Sequence, residues 1–269
     1  MTLLCPICGA PIAPDEKTWC CGAGHSFDVA RQGYVNLLPV QQKHSLHPGD
    51  TAEQVRARRR FLGTGFYAPI AAAVCEMMGP ARRVLDVGCG EGYYLRKYGQ
   101  ACPEAERWGL DISRDAVRLA AGADKTGHYL VATATRLPFA DGSFDSLMSL
   151  FALTVPGEFS RMLASGGLFL QALAEPDHLQ SLKELIYPEL VQKPKNLTPE
   201  VPGFIPVEHR EVQFNIILTN SDQVADLLAM TPHYWRITRD GAQRAAEAQG
   251  LRDTVHIRLN LYRRSGEGC

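Results

Sequence analysis

From residue 80 onward, short apolar runs alternate with stretches whose apolar residues recur at helical spacing. The runs 83–87, 107–111, 128–132, 145–150 and 167–173 read as buried strands. Stretches 93–101, 114–122 and 156–163 read as the helices between them. Strands in alternation with helices predict an α/β fold built on a mostly parallel, doubly wound sheet. Beyond residue 174 the rhythm changes. A helix over 179–186, a loop rich in Pro and Lys over 192–206, and a long strand over 207–218 come first. A helix over 221–228 capped by Ser221, a short aromatic segment over 230–236, a helix over 239–250 and a last strand over 254–262 follow. This ending predicts an antiparallel strand pair added to the sheet. Upstream, 51–62 has helical spacing with Thr51 as its cap, and an apolar helix follows over 70–78. Residues 41–52 are polar and read as a loop, with His44 and His47 solvated. Residues 31–39 read as a short strand closing an N-terminal unit. The expected division is a unit over 1–40, a connecting loop and helices over 41–79, and the βα domain over 80–269.

The first strand of that domain runs into Gly88-Cys89-Gly90-Glu91-Gly92, which opens the next helix. Glycine lets the backbone approach a ligand with no Cβ in the way. The frame is neither the dinucleotide GxGxxG nor a Walker loop. A second strand ends on Asp111, whose carboxylate can accept two hydrogen bonds from a vicinal diol. A third piece is Leu137-Pro138-Phe139-Ala140-Asp141-Gly142-Ser143-Phe144-Asp145. Taken in order from Asp86, these pieces resemble the Rossmann-like, class I methyltransferases. The resemblance implies S-adenosylmethionine as methyl donor, held by Asp86, Gly88, Gly90, Gly92 and Asp111.

The N-terminal unit carries different chemistry. Cys5-x2-Cys8 and Cys21-x3-His25 supply three thiolates and an imidazole in two close pairs, which suits one tetrahedral Zn²⁺. Cys20 stands beside Cys21 as an alternative ligand. So short a segment, with few large apolar residues, needs such a staple to fold. With four protein ligands the site is closed, hence structural. Arg56, Arg59 and Arg60 share a helix face. By themselves they read as a solvated face; next to a zinc unit they become a phosphate-binding patch.

Composition sets the limits. The chain has 269 residues and 45% hydrophobic content, enough for a sizeable core. Its formal net charge of −1 provides no global field for nucleic acid, so RNA contact must come from local patches. No apolar run reaches membrane-span length and no signal pattern opens the chain, so no membrane partner and a cytoplasmic location are expected. Cys75, Cys89, Cys102 and Cys269 are scattered, as free thiols in a reducing compartment are.

End to end, the chain resembles the bacterial 23S rRNA (guanine-N1) methyltransferases. The matching residues include Cys5-Pro6-x-Cys8, Cys21 with His25, Gly33-Tyr34-Val35-Asn36-Leu37-Leu38-Pro39, Pro48-Gly49-Asp50, Ala57-Arg58-Arg59-x-Phe61-Leu62, the glycine turn, and Met230-Thr231-Pro232-x-x-Trp235-Arg236. The resemblance implies an RNA-reading zinc domain, donor contacts at Tyr67, Gly90, Glu91 and His178 besides Asp111, and zinc on Cys5, Cys8, Cys21 and His25. It implies a 23S rRNA substrate presenting a hairpin or an exposed guanine, and is compatible with a homodimer. Trp235, like Tyr67, is an aromatic able to stack a splayed-out base. The chain departs from the family at Leu153, where an aromatic-Ala-Pro segment is usual; this puts the substrate base in question. The acceptor of the guanine N1 proton is unassigned: a carboxylate near the pocket, His178 or water. Two rival readings are a small-molecule methyltransferase with the zinc unit as lid, and an RNA-binding relative without catalysis.

Overall fold

The computed structural model describes residues 1–40, 48–190, 194 and 196–266. His44 and His47, part of the 192–206 loop, and Cys269 lie outside the described residues. Two sheets organise the chain. The first is a four-stranded antiparallel sheet of β1 (Leu3–Leu4), β2 (Pro11–Ala13), β3 (Thr18–Cys21) and β4 (Ser26–Asp28). The second has eight strands. Its parallel part comprises β5 (Val35–Asn36), β6 (Arg83–Val87), β7 (Glu106–Asp111), β8 (His128–Val131), β9 (Phe144–Leu150) and β10 (Leu163–Ala174). Antiparallel additions β11 (Phe204–Leu218) and β12 (Leu251–Arg264) complete the order β11-β12-β10-β9-β6-β7-β8-β5. The appended strand pair is therefore present, with β11 starting three residues earlier than the sequence suggested and β12 longer at both ends.

β6 is central, and four of its five residues are buried. A strand covered on both faces reads as a continuous apolar run, which is why it was legible. Helices α3 (Tyr93–Ala101), α4 (Arg114–Ala123) and α5 (Pro156–Met162) make the crossovers. α6 (Gln180–Ile186), α7 (Ser221–Ala229) and α8 (Arg239–Glu247) follow β10. Before the sheet come α1 (Ala52–Gly63) and α2 (Ala68–Met78). Thr51 caps α1 reciprocally: Gln54 N donates to Thr51 Oγ1, and Thr51 N donates to Gln54 Oε1. Such a box is worth about 1 kcal/mol and fixes where the helix begins.

Two local expectations are corrected. α7 is capped by Asn220, whose side chain accepts the N–H of Gln223 at 3.0 Å; Ser221 is already the first helical residue. The short strand within 31–39 is only Val35–Asn36; it pairs with Leu130 and Val131 at the edge of the large sheet, while Val35 also bridges Val29 beside β4. Val35 and Leu37 are buried with Leu85 and Leu110, so their apolar faces are spent on the larger core. The first sheet also touches the second unit directly: Leu4 N donates to Pro138 O at 2.9 Å and Ala140 N to Thr2 O at 3.0 Å. Among the described residues, no single helix is long and apolar enough to cross a membrane.

Candidate active site and zinc centre

The strand order reverses between β6 and β9, since the chain runs β6, β7, β8 to one side and then returns to β9 on the other. At such a reversal the loops leaving the carboxyl ends part and leave a crevice. The turn after β6 lines it. Gly88, Gly90 and Gly92 have φ of 80°, 55° and 81°, which L side chains rarely adopt. A Cβ on Gly88 would also lie 2.5 Å from the Cβ of Ala152, in the loop after β9. Glycine is thus required where two loops meet at the floor of the crevice. A Cβ on Gly90 would meet only Arg58 Cδ, at 3.8 Å.

Asp111, at the end of β7, is tied to this turn. Its Oδ2 accepts the Gly90 N–H at 2.9 Å and its Oδ1 accepts the Ser113 N–H at 2.8 Å. Burial raises its pKa, and the two backbone donors work against that rise. Each carboxylate oxygen offers two lone pairs, so capacity for a diol remains. Asp86, buried in β6, is pushed up to about 8, first by burial and then by the charge of Asp111. The Glu91 carboxylate is committed to Arg96, at 2.8 and 3.2 Å.

Two cavities meet here. One, of about 290 Å³, is lined by Gly88, Gly90, Glu91 and Asp111. The other, of about 340 Å³, is lined by Tyr67, Tyr94, His178 and Met230. Arg58, Phe151 and Ala152 line both. The volumes lie near the lower end for small-molecule sites. A buried carboxylate, an open glycine turn and an adjoining aromatic-lined space fit an adenosyl donor with a reacting end next to a second molecule. Tyr67 is 3% exposed, and its ring stands edge-on to Phe61 at 5.4 Å. His178 Nδ1 accepts the backbone N–H of His256 at 3.2 Å, so the neutral ring carries its proton on Nε2. Phe151 and Leu179 are the two non-glycine residues with positive φ among those described, and both line the second cavity. Such conformations cost on the order of 1–2 kcal/mol each and concentrate at functional sites. Leu153, the departure from the expected proline, is exposed and lines the first cavity.

The four N-terminal ligands converge. The ligand atoms of Cys5, Cys8, Cys21 and His25 all lie within 4.8 Å of one another. Cys21 Sγ is 3.4 Å from His25 Nδ1, Cys5 Sγ is 3.6 Å from the same nitrogen, and the Cys8 and Cys21 sulfurs are 3.7 Å apart. These separations are those of ligands about 2.0–2.3 Å from a common tetrahedral centre. Of the two ring nitrogens of His25, it is Nδ1 that faces the sulfurs. Cys20 is exposed and pairs across the sheet with Ser26, whereas Cys21 is buried and lies in the group of four that could hold a metal ion.

The basic face divides. Arg56 and Arg59 are exposed, whereas Arg60 is held by Asp226 of α7 through Nε at 2.9 Å and Nη2 at 2.5 Å. Trp235 is 64% exposed, on a short 3-10 turn over Pro232–Trp235, and is not among the cavity-lining residues. The sequence reading missed Arg58 and Phe151 as site residues. Arg58 lies between Arg56 and Arg59 on α1, and helical spacing alone gives no reason to separate it from them.

Comparison with known proteins adds the following. A family described as the zinc ribbon of RlmA, N-terminal, matches residues 3–46, and a family described as methyltransferase domain matches residues 84–167. The 23S rRNA (guanine(748)-N(1))-methyltransferase of Streptomyces fradiae is 34% identical, covering 97% of this chain and 96% of its own. Two proteins provisionally named 23S rRNA (guanine-N(1)-)-methyltransferases are also similar. That of Micromonospora griseorubida is 33% identical, over 97% of both chains. That of Bacillus subtilis is 31% identical, over 94% of both.

Proposed function

The chain belongs to the 23S rRNA (guanine-N1) methyltransferase family, and from that premise we infer that it transfers a methyl group from S-adenosylmethionine to N1 of a guanine in large-subunit rRNA. The observation that carries this reading is the pair of cavities meeting at Arg58, Phe151 and Ala152, with Asp111 fixed to Gly90 in one of them. When bound, the donor supplies an electrophilic methyl group on a sulfonium. The chain's own contribution is alignment of that methyl with the incoming nitrogen. In this reading Asp111 takes the ribose hydroxyls and Gly88, Gly90 and Gly92 keep the turn open. Asp86 supports the strand beneath it. Tyr67 and His178 border the reacting end. Glu91 contributes its main chain, because its carboxylate is held by Arg96.

Guanine N1 lies on the pairing edge, so the target base must be unpaired and turned out to enter the second cavity. A hairpin loop or another exposed guanine meets that need. Phe151, at the junction of the cavities, is placed to support such a base, and Arg56, Arg59 and Trp235 offer phosphate and stacking contacts outside. His178 presents an N–H at Nε2 while it accepts from His256, so the N1 proton goes to a different acceptor. The zinc unit over 1–40 adjoins the methyltransferase domain over 80–269 through the 41–79 connection, and in this reading serves RNA recognition.

Transfer of labelled methyl from the donor to deproteinised large-subunit rRNA, followed by digestion to nucleosides, tests the reading. Label in 1-methylguanosine is expected. Label on a small acceptor and none in RNA would favour a metabolite methyltransferase instead.

A further inference from the structure

Arg58 lies on α1 and faces both cavities. Its Nη2 pairs with Asp50 Oδ2 at 2.6 Å and donates to Met230 O at 3.3 Å. Its Nε is buried and has no hydrogen-bond partner among the described residues. A buried N–H without a partner is costly, so this atom is a donor waiting for an acceptor. The Arg58 Cδ is also the nearest atom to the open face of Gly90.

The charge around it is one-sided. Asp50, Glu91 and Asp111 line the first cavity, and Arg58 is the only Lys or Arg lining either cavity among the described residues. His233 is held neutral more firmly than usual, first by burial. A donor with its ribose at Asp111 carries a sulfonium, an ammonium and one carboxylate. The two cationic groups suit the acidic lining, and the carboxylate does not. Arg58 is the cation at the junction of the cavities, and its guanidinium has donor capacity left over to receive it.

We propose that Arg58 holds the carboxylate of the methyl donor's amino-acid tail, and so selects a donor with an intact tail. The proposal rests on the donor-cavity reading above. Asp50 then balances the charge of the guanidinium, which its place on α1 and the Met230 carbonyl keep in position.

Calorimetry tests it with two probes that differ in one group, S-adenosylhomocysteine and its decarboxylated counterpart S-adenosyl-3-thiopropylamine. The full-length wild-type protein is expected to prefer the carboxylated probe by roughly ten- to hundredfold, the range for a charge-assisted hydrogen bond. Arg58→Gln is expected to lose that preference by weakening S-adenosylhomocysteine alone, with the decarboxylated probe bound as by wild type. Asp50→Asn, which breaks the same ion pair from the other side, is expected to keep the preference. The proposal is overturned if Arg58→Gln keeps the preference, as it would were Arg58 a contact of the guanine, or if Asp50→Asn abolishes it equally. Failure of the wild-type protein to bind S-adenosylhomocysteine at all would count against the donor cavity itself. Unchanged thermal melting of both variants separates these outcomes from misfolding.

Discussion

Asp111 Oδ2 accepts the backbone N–H of Gly90 at 2.9 Å. The bond joins the end of β7 to the bend after β6, two elements separated by a full crossover helix. It sets the distance between the carboxylate and the glycine turn before any ligand arrives. A site held by backbone donors is preorganised, so binding does not have to order it.

That bond gives the first prediction. Asp111→Asn removes a carboxylate that both fixes the turn and serves the ribose. Affinity for S-adenosylhomocysteine is expected to fall by about 1.5–3 kcal/mol, roughly ten- to hundredfold. Titration calorimetry checks it, and affinity within twofold of wild type would remove Asp111 from the donor site.

The second concerns the metal. Cys21→Ser takes away one of four converging ligands, whereas Cys20→Ser alters an exposed side chain. Purified Cys21→Ser is expected to carry little zinc, and Cys20→Ser one equivalent, by atomic emission. Chelation of zinc from wild type is expected to expose the first sheet to protease, because binding energy at such sites is folding energy.

The arginines on α1 are expected to separate by role. Arg56→Ala with Arg59→Ala should raise KM for rRNA several-fold at low salt, with the difference from wild type shrinking as salt rises, and leave donor affinity unchanged. Arg60→Ala should leave the rRNA KM alone and lower stability by no more than about 1 kcal/mol, since its partner Asp226 is buried but Arg60 itself is largely exposed. Steady-state kinetics and urea unfolding report the two effects.

Stability should depend on Asp124 at acid pH. Burial raises its pKa, but bonds from Thr126 and the adjacent Arg107 outweigh that and hold it at about 2. An unfolded aspartate titrates near 3.9. The folded value is the lower one, so the contribution is complete above about pH 4 and is lost as pH falls towards 2. Asp124→Asn is expected to be less stable than wild type near neutrality by on the order of 2 kcal/mol, with the gap closing below pH 4. Urea unfolding across that range measures it; a gap independent of pH would assign the loss to packing.

What the sequence made legible was local. The β6 run, the glycine bend and Asp111 lie within one βαβ unit, and the zinc ligands lie in two close pairs. Each announces itself by spacing. What stayed hidden depends on partners far along the chain. Arg60 is claimed by Asp226, which no helical wheel of α1 can show. The ring of His178 is oriented by the backbone of His256, which turns an N–H and not a lone pair outward at Nε2 of the neutral ring. Val35 pairs with Leu130 across the sheet edge, so a strand assigned to the first unit belongs to the second sheet. Cys20 and Cys21 differ only in which face of β3 each occupies, and the alternation is set by pairing with β2 and β4.

The most direct measurement is a crystal structure of the protein with S-adenosylhomocysteine. The account predicts the ligand along the bend of Gly88, Gly90 and Gly92, its ribose hydroxyls on Asp111, and its sulfur turned towards the cavity of Tyr67 and His178. An empty crevice at saturating ligand, or a ligand bound elsewhere with Asp111 still closed on Gly90 and Ser113, would contradict it.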